Sequence, residues 1–104
     1  MKALVCSSIT DDFADIRVED VDLPEPGYGE VRIRIRATSL NFPDILLCQG
    51  KYQLKLQPPF TPGMDIAGEI EAIGEGVENF VVGEAVVGGM RFGGFAEFAV
   101  VSTE

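Results

Sequence analysis

The chain has no histidine, only two cysteines, and 8 lysines and arginines against 17 aspartates and glutamates, a net charge of -9 over 104 residues. Without histidine it has no imidazole to offer a mixed thiolate–imidazole zinc site, and two cysteines cannot form a four-cysteine structural zinc lobe. The shortage of bases opposes binding to nucleic acid and to anionic membranes, since a phosphate surface is engaged through clustered Lys and Arg. No apolar run approaches the length that crosses a bilayer. The start, Met1-Lys2-Ala3-Leu4-Val5-Cys6, lacks the sustained hydrophobic region of a secretory signal, so the expected location is cytoplasmic. Cys6 and Cys48 are far apart and form no Cys-x-x-Cys pair. They read as two buried, reduced thiols, although the sequence permits one disulfide.

What remains is an ordinary globular composition, 46% hydrophobic and 24% charged, in a length that suits one domain, residues 1–104, with a single modest core. The clearest pattern is Val31-Arg32-Ile33-Arg34-Ile35-Arg36-Ala37-Thr38, whose strict alternation is the period of a half-buried strand. Val31, Ile33, Ile35 and Ala37 are expected to face the core. The three arginines on the other face read as a solvated ladder paired with Glu69 and Glu71, which share one face of a later strand, Ala67 to Ile73. Further short strands are expected over Lys2–Cys6, Ile16–Val21, Glu84–Val87 and Phe95–Val101, a spacing typical of a small barrel or sandwich. The joint from Pro24 to Gly29, with two prolines and two glycines, breaks the strands on either side of it.

One short helix is expected near 43–49. Pro43 suits a first helical position, Asp44 complements the dipole in the first turn, and Gly50 can end the helix in the left-handed region. Lys51 to Pro62 reads as an extended loop.

No cofactor fingerprint is present. A dinucleotide site needs Gly-x-Gly-x-x-Gly between a strand and a helix. Gly74-Glu75-Gly76 runs on into Val77, Glu78 and Asn79, and Gly88, Gly89, Gly93 and Gly94 flank Met90-Arg91-Phe92 at the wrong spacing. These glycines read as tight turns.

A series of short motifs carries a family resemblance: Leu40-Asn41-Phe42-Pro43-Asp44, Gly50-Lys51-Tyr52, Pro62-Gly63-Met64-Asp65-Ile66-Ala67-Gly68, Ile73-Gly74-Glu75-Gly76-Val77, Val82-Gly83-Glu84-Ala85-Val86 and Gly93-Gly94-Phe95-Ala96-Glu97-Phe98. In order and spacing the series resembles the N-terminal catalytic domain of the medium-chain dehydrogenase/reductases, in particular the zinc-independent, zeta-crystallin-like NADPH:quinone oxidoreductases. The resemblance implies a mainly β, GroES-like, partly open barrel with one short helix. It also implies that the chain is the substrate-side part of an enzyme reducing a quinone or another conjugated carbonyl with NADPH. The principal NADPH site would then lie in a Rossmann domain that this chain lacks, or in a partner chain supplying one, and the chain alone is expected to be inactive.

Aligned on that family, Asn41 and Met64 stand where zinc-dependent relatives place a Cys and a His. An amide and a thioether bind zinc poorly, so no metal is expected. The resemblance implies that Asn41 and Tyr52 are the catalytic polar groups, orienting the nicotinamide and stabilising negative charge on the carbonyl oxygen. It implies too that Asn41 and Met64 contact the cofactor. Residue type alone favours plainer readings: Asn41 as a helix cap or turn residue, Tyr52 as a half-buried loop aromatic with its hydroxyl in water, and Met64 as packing. Asp65 reads as an acceptor in a turn, and Phe42 and Phe92 either flank a planar ring or pack. A different reading of the same fold is a stand-alone binding or assembly module, and exposure of the face that meets the absent domain would favour weak homo-oligomers.

Overall fold

The computed structural model describes residues 1–103. Among them are six strands and one helix: β1 (Lys2–Cys6), β2 (Ile16–Asp20), β3 (Glu30–Thr38), α1 (Phe42–Gln49), β4 (Asp65–Ile73), β5 (Ala85–Gly89) and β6 (Phe98–Ser102). All pairing between these strands is antiparallel. β1 and β2 make a hairpin, and the other four form a sheet in the order β5-β4-β3-β6. Single bridges, Ala3 to Ala96 and Cys6 to Phe60, tie the hairpin to the remainder. The sheet does not close on itself, so this is the mainly β, partly open architecture expected.

β3 pairs on both edges, with β4 and with β6, and its alternation turns Val31 and Ile33 to one face. Val31 and Ile33 join Ile66, Ile70 and Ala99 in the main core. A second cluster, Cys6, Leu47, Cys48 and Phe60, packs β1 against α1 and the loop that follows it. Both cysteines are free and buried. Burial, reinforced by the neighbouring Cys6, pushes the Cys48 thiol up to about 12, so at neutral pH it is an uncharged packing group.

Two expectations for β3 are corrected. Ala37 is exposed, because the register of β3 on β4 shifts between Arg32 and Ile33 and again between Ile35 and Ala37, and β6 covers only Glu30 to Arg34. The arginine face is not uniformly solvated either. Arg32 is 8% exposed; it donates to Glu71 and to the Pro24 carbonyl, pairs with Glu25, and lies 6.0 Å from the centre of the Phe98 ring. The proline-rich joint thus folds over one end of the ladder, whereas Arg36 and Glu69 form the exposed pair expected of the other.

α1 begins at Phe42, one residue earlier than predicted, which puts Pro43 in its second position. Asn41 is the N-cap and Gly50 caps the other end at φ 71°. Gly68 is required for a different reason: a Cβ there would sit 1.9 Å from the Arg34 carbonyl oxygen across the β3–β4 pairing.

Gly68→Ala is expected to force β3 and β4 apart and to cost at least about 2 kcal/mol. An unchanged urea midpoint would contradict that close approach. The Arg32–Glu71 pair predicts a pH signature. The hydrogen bond from Arg32 holds the Glu71 carboxyl below its ordinary value although desolvation opposes it. Its stabilisation is therefore complete above the unfolded carboxylate pKa of about 4.3 and is lost as pH falls through the lower folded value. Glu71→Gln should flatten the acid limb of stability against pH, and an unaltered slope would rule out this pair as a source of acid sensitivity.

Candidate active site

The helix start and the segment after the loop are joined by one carboxylate. Asp44 is 1% exposed. Its Oδ2 accepts the Asn41 backbone N–H at 2.8 Å and its Oδ1 accepts the Gly63 N–H at 3.2 Å. Beyond favouring the helix dipole, Asp44 therefore fastens α1 to Pro62–Gly63.

That segment in turn anchors the loop before β6. Met90 N–H donates to the Met64 carbonyl at 2.7 Å, Gly94 N–H to Gly63 at 3.1 Å and Phe95 N–H to Pro62 at 2.9 Å. The contact is too close for side chains. Gly63 has φ 113°, and a Cβ on it would lie 2.6 Å from the Phe95 nitrogen.

Tyr52, Gln53, Leu54, Met64, Met90 and Arg91 line a cleft of about 320 Å³ where these segments meet. Tyr52 and Met64 are both half-buried and pack on the Cys6–Phe60 cluster. The packing readings of Tyr52 and Met64 thus hold together with their position on a cleft wall, because each side chain has an inner and an outer face.

Asn41 does not line that cleft. Its side-chain nitrogen donates to Asp65 Oδ2 at 2.8 Å and to Ser39 Oγ at 3.2 Å. Asp65 is therefore the acceptor for a side-chain amide, not for the turn backbone expected of it. Asp65 also borders a wider, open groove of about 530 Å³ between β3, β4 and β5. Phe92 lines a separate groove with Phe98 and Ala99, and Phe42 is largely exposed. Sequence reasoning missed Arg91 and Met90, which reach the cleft only through the backbone clips to residues 62–64.

The donor set does not suit zinc: Asn41 and Met64 offer an amide and a thioether, and no group of three or more His, Cys, Asp or Glu among the described residues is arranged to hold a metal.

The alcohol dehydrogenase GroES-like domain matches residues 27–104. The chain belongs to that family. Its relatives include the chloroplastic quinone-oxidoreductase QR1 of Triphysaria versicolor, 42% identical over 86% of this chain and 29% of that protein. A zinc-type alcohol dehydrogenase-like protein of Schizosaccharomyces pombe is 42% identical over 72% of this chain and 22% of its own length. Among solved structures, the quinone oxidoreductase of Thermus thermophilus, also determined in complex with NADPH, superposes with a TM-score of 0.80. It shares 33% identity over 98% of this chain and 30% of the enzyme. The GroES-like chain thus spans less than a third of the length of each of these relatives.

Asp44→Asn is expected to cost about 2 to 3 kcal/mol, since an amide has one acceptor atom where the carboxylate has two, and its NH₂ would face a backbone donor. Denaturation by urea measures this, and a loss below about 0.5 kcal/mol would mean that Asp44 does not fasten the helix.

Proposed function

We propose that this GroES-like domain is the substrate-side catalytic part of a zinc-independent, NADPH-dependent quinone or enone oxidoreductase. The observation that carries the reading is the convergence of Tyr52 and Met64 on one cleft, with Asn41 held against Asp65, the residue next to Met64. Similarity to quinone oxidoreductases over most of the chain supports it.

In this reading the Tyr52 hydroxyl donates a hydrogen bond to the substrate carbonyl oxygen and stabilises the negative charge that grows there on reduction. The amide of Asn41, oriented by Asp65, and the apolar Met64 side chain would hold the nicotinamide end of the cofactor. NADPH, when bound, supplies the hydride. The pyrophosphate-binding part belongs to a Rossmann domain or to a partner chain, because among the described residues no glycine-rich loop precedes a helix. Leu40 and Phe42, each 69% exposed on either side of Asn41, are surface that such a domain would cover.

The purified chain, titrated with NADPH by calorimetry and assayed with 1,4-naphthoquinone, is expected to show neither tight cofactor binding nor turnover. The quinone alone should shift the Tyr52 and Met64 amide signals in nitrogen-15 NMR spectra. Turnover at the rate of a complete enzyme would overturn the division of labour, and a quinone that leaves both signals unmoved would overturn the assignment of the cleft.

A further inference from the structure

We infer that Arg91 makes the Tyr52–Met64 cleft selective for conjugated carbonyls that carry an anionic group, an inference that rests on the cleft being the substrate side. Among the described residues, Arg91 is the one charged member of the cleft lining, within a chain whose other basic side chains are mostly engaged. Lys2, Arg32, Arg36 and Lys51 are ion-paired, Lys55 donates to the Gly50 carbonyl, and Arg34 lies 5.1 Å from the centre of the Phe98 ring. Arg91 has no ion pair, hydrogen bond or ring contact with another described residue, a state it shares only with Arg17 on β2, outside the cleft.

The guanidinium is carried on a positioned backbone. The Met90 N–H on Met64 and the Gly94 N–H on Gly63 hold the two ends of its loop, and Gly93 turns the chain between them at φ 108°. With its backbone anchored, less freedom is lost when the side chain captures an oxyanion.

A net charge of -9 repels anions over the surface as a whole, whereas an unpaired cation at one cleft attracts them locally within a Debye length of about 8 Å. A cleft of about 320 Å³ is at the small end of ligand sites, which run from about 300 to 1,000 Å³. It suits a one- or two-ring carbonyl compound and is too small to enclose a dinucleotide. Tyr52 would meet the carbonyl oxygen and Arg91 a carboxylate or sulfonate on the same ring system, by a charge-assisted hydrogen bond.

The test compares 1,4-naphthoquinone with its 2-sulfonate and with inorganic pyrophosphate, by NMR titration of the chain and of Arg91→Gln and Arg91→Lys. The sulfonate is expected to bind roughly two- to fivefold more tightly than the neutral quinone at low salt, both quinones shifting Tyr52 and Met64. Arg91→Gln should reduce the sulfonate to the affinity of the neutral compound and leave the latter unchanged, and Arg91→Lys should retain part of the difference. Equal affinities in the unaltered chain, or an equal loss for both quinones in Arg91→Gln, would overturn the role of Arg91 while leaving the cleft assignment standing. Pyrophosphate binding as tightly as the sulfonate would mark a phosphate site and overturn selectivity for a carbonyl substrate. If neither quinone shifts Tyr52 or Met64, both the cleft assignment and this inference fail.

Discussion

Everything that makes the cleft depends on a carboxylate removed from water, because Asp44 can be buried only while both of its oxygens accept backbone hydrogen bonds, one from Asn41 and one from Gly63. Those bonds connect segments about twenty residues apart, a helix start and an extended strand entry. Once Pro62–Gly63 is held there, its carbonyls and that of Met64 receive the N–H groups of Phe95, Gly94 and Met90. Loss of the carboxylate would release the first link in a chain of contacts that ends at the cleft.

The absence of side chains matters as much as their presence. Gly63 and Gly94 let two backbones approach closely enough to bond directly, and Gly68 lets β4 lie close against Arg34 where it pairs with β3. The motif Pro62-Gly63-Met64-Asp65-Ile66-Ala67-Gly68 therefore combines two jobs: its glycines allow close packing, and Met64 and Asp65 between them face the candidate site. The motif's glycines need no direct contact with a ligand, because close packing alone accounts for them.

Much of the fold was legible in the chain. The strict alternation of β3, the Pro43–Asp44–Gly50 signals of α1 and the spacing of the short strands foretold the elements to within a few residues, since each depends on local backbone preference and on a repeating apolar period. Alternation failed at Ala37, where bulges in the pairing with β4 shift the faces, and at Arg32, where a distant proline-rich joint covers a charge that periodicity assigns to solvent. Of the candidate site, Asn41, Tyr52 and Met64 were singled out through the family resemblance. Their pairing off, with Tyr52 and Met64 in one cleft and Asn41 on Asp65 beside it, was not readable, and nor was Arg91.

The sequence by itself determined the alternating faces, the helix caps, the acidic charge, and the lack of histidine and of a dinucleotide fingerprint, because these follow from residue type and near-neighbour spacing. Only the tertiary structure decided which half-buried residues share a cleft, which arginine is buried and which are left without a partner among the described residues. Those outcomes depend on contacts between segments distant in the chain, where register, a bulge or the close approach of two glycines sets the neighbour and no local pattern records it.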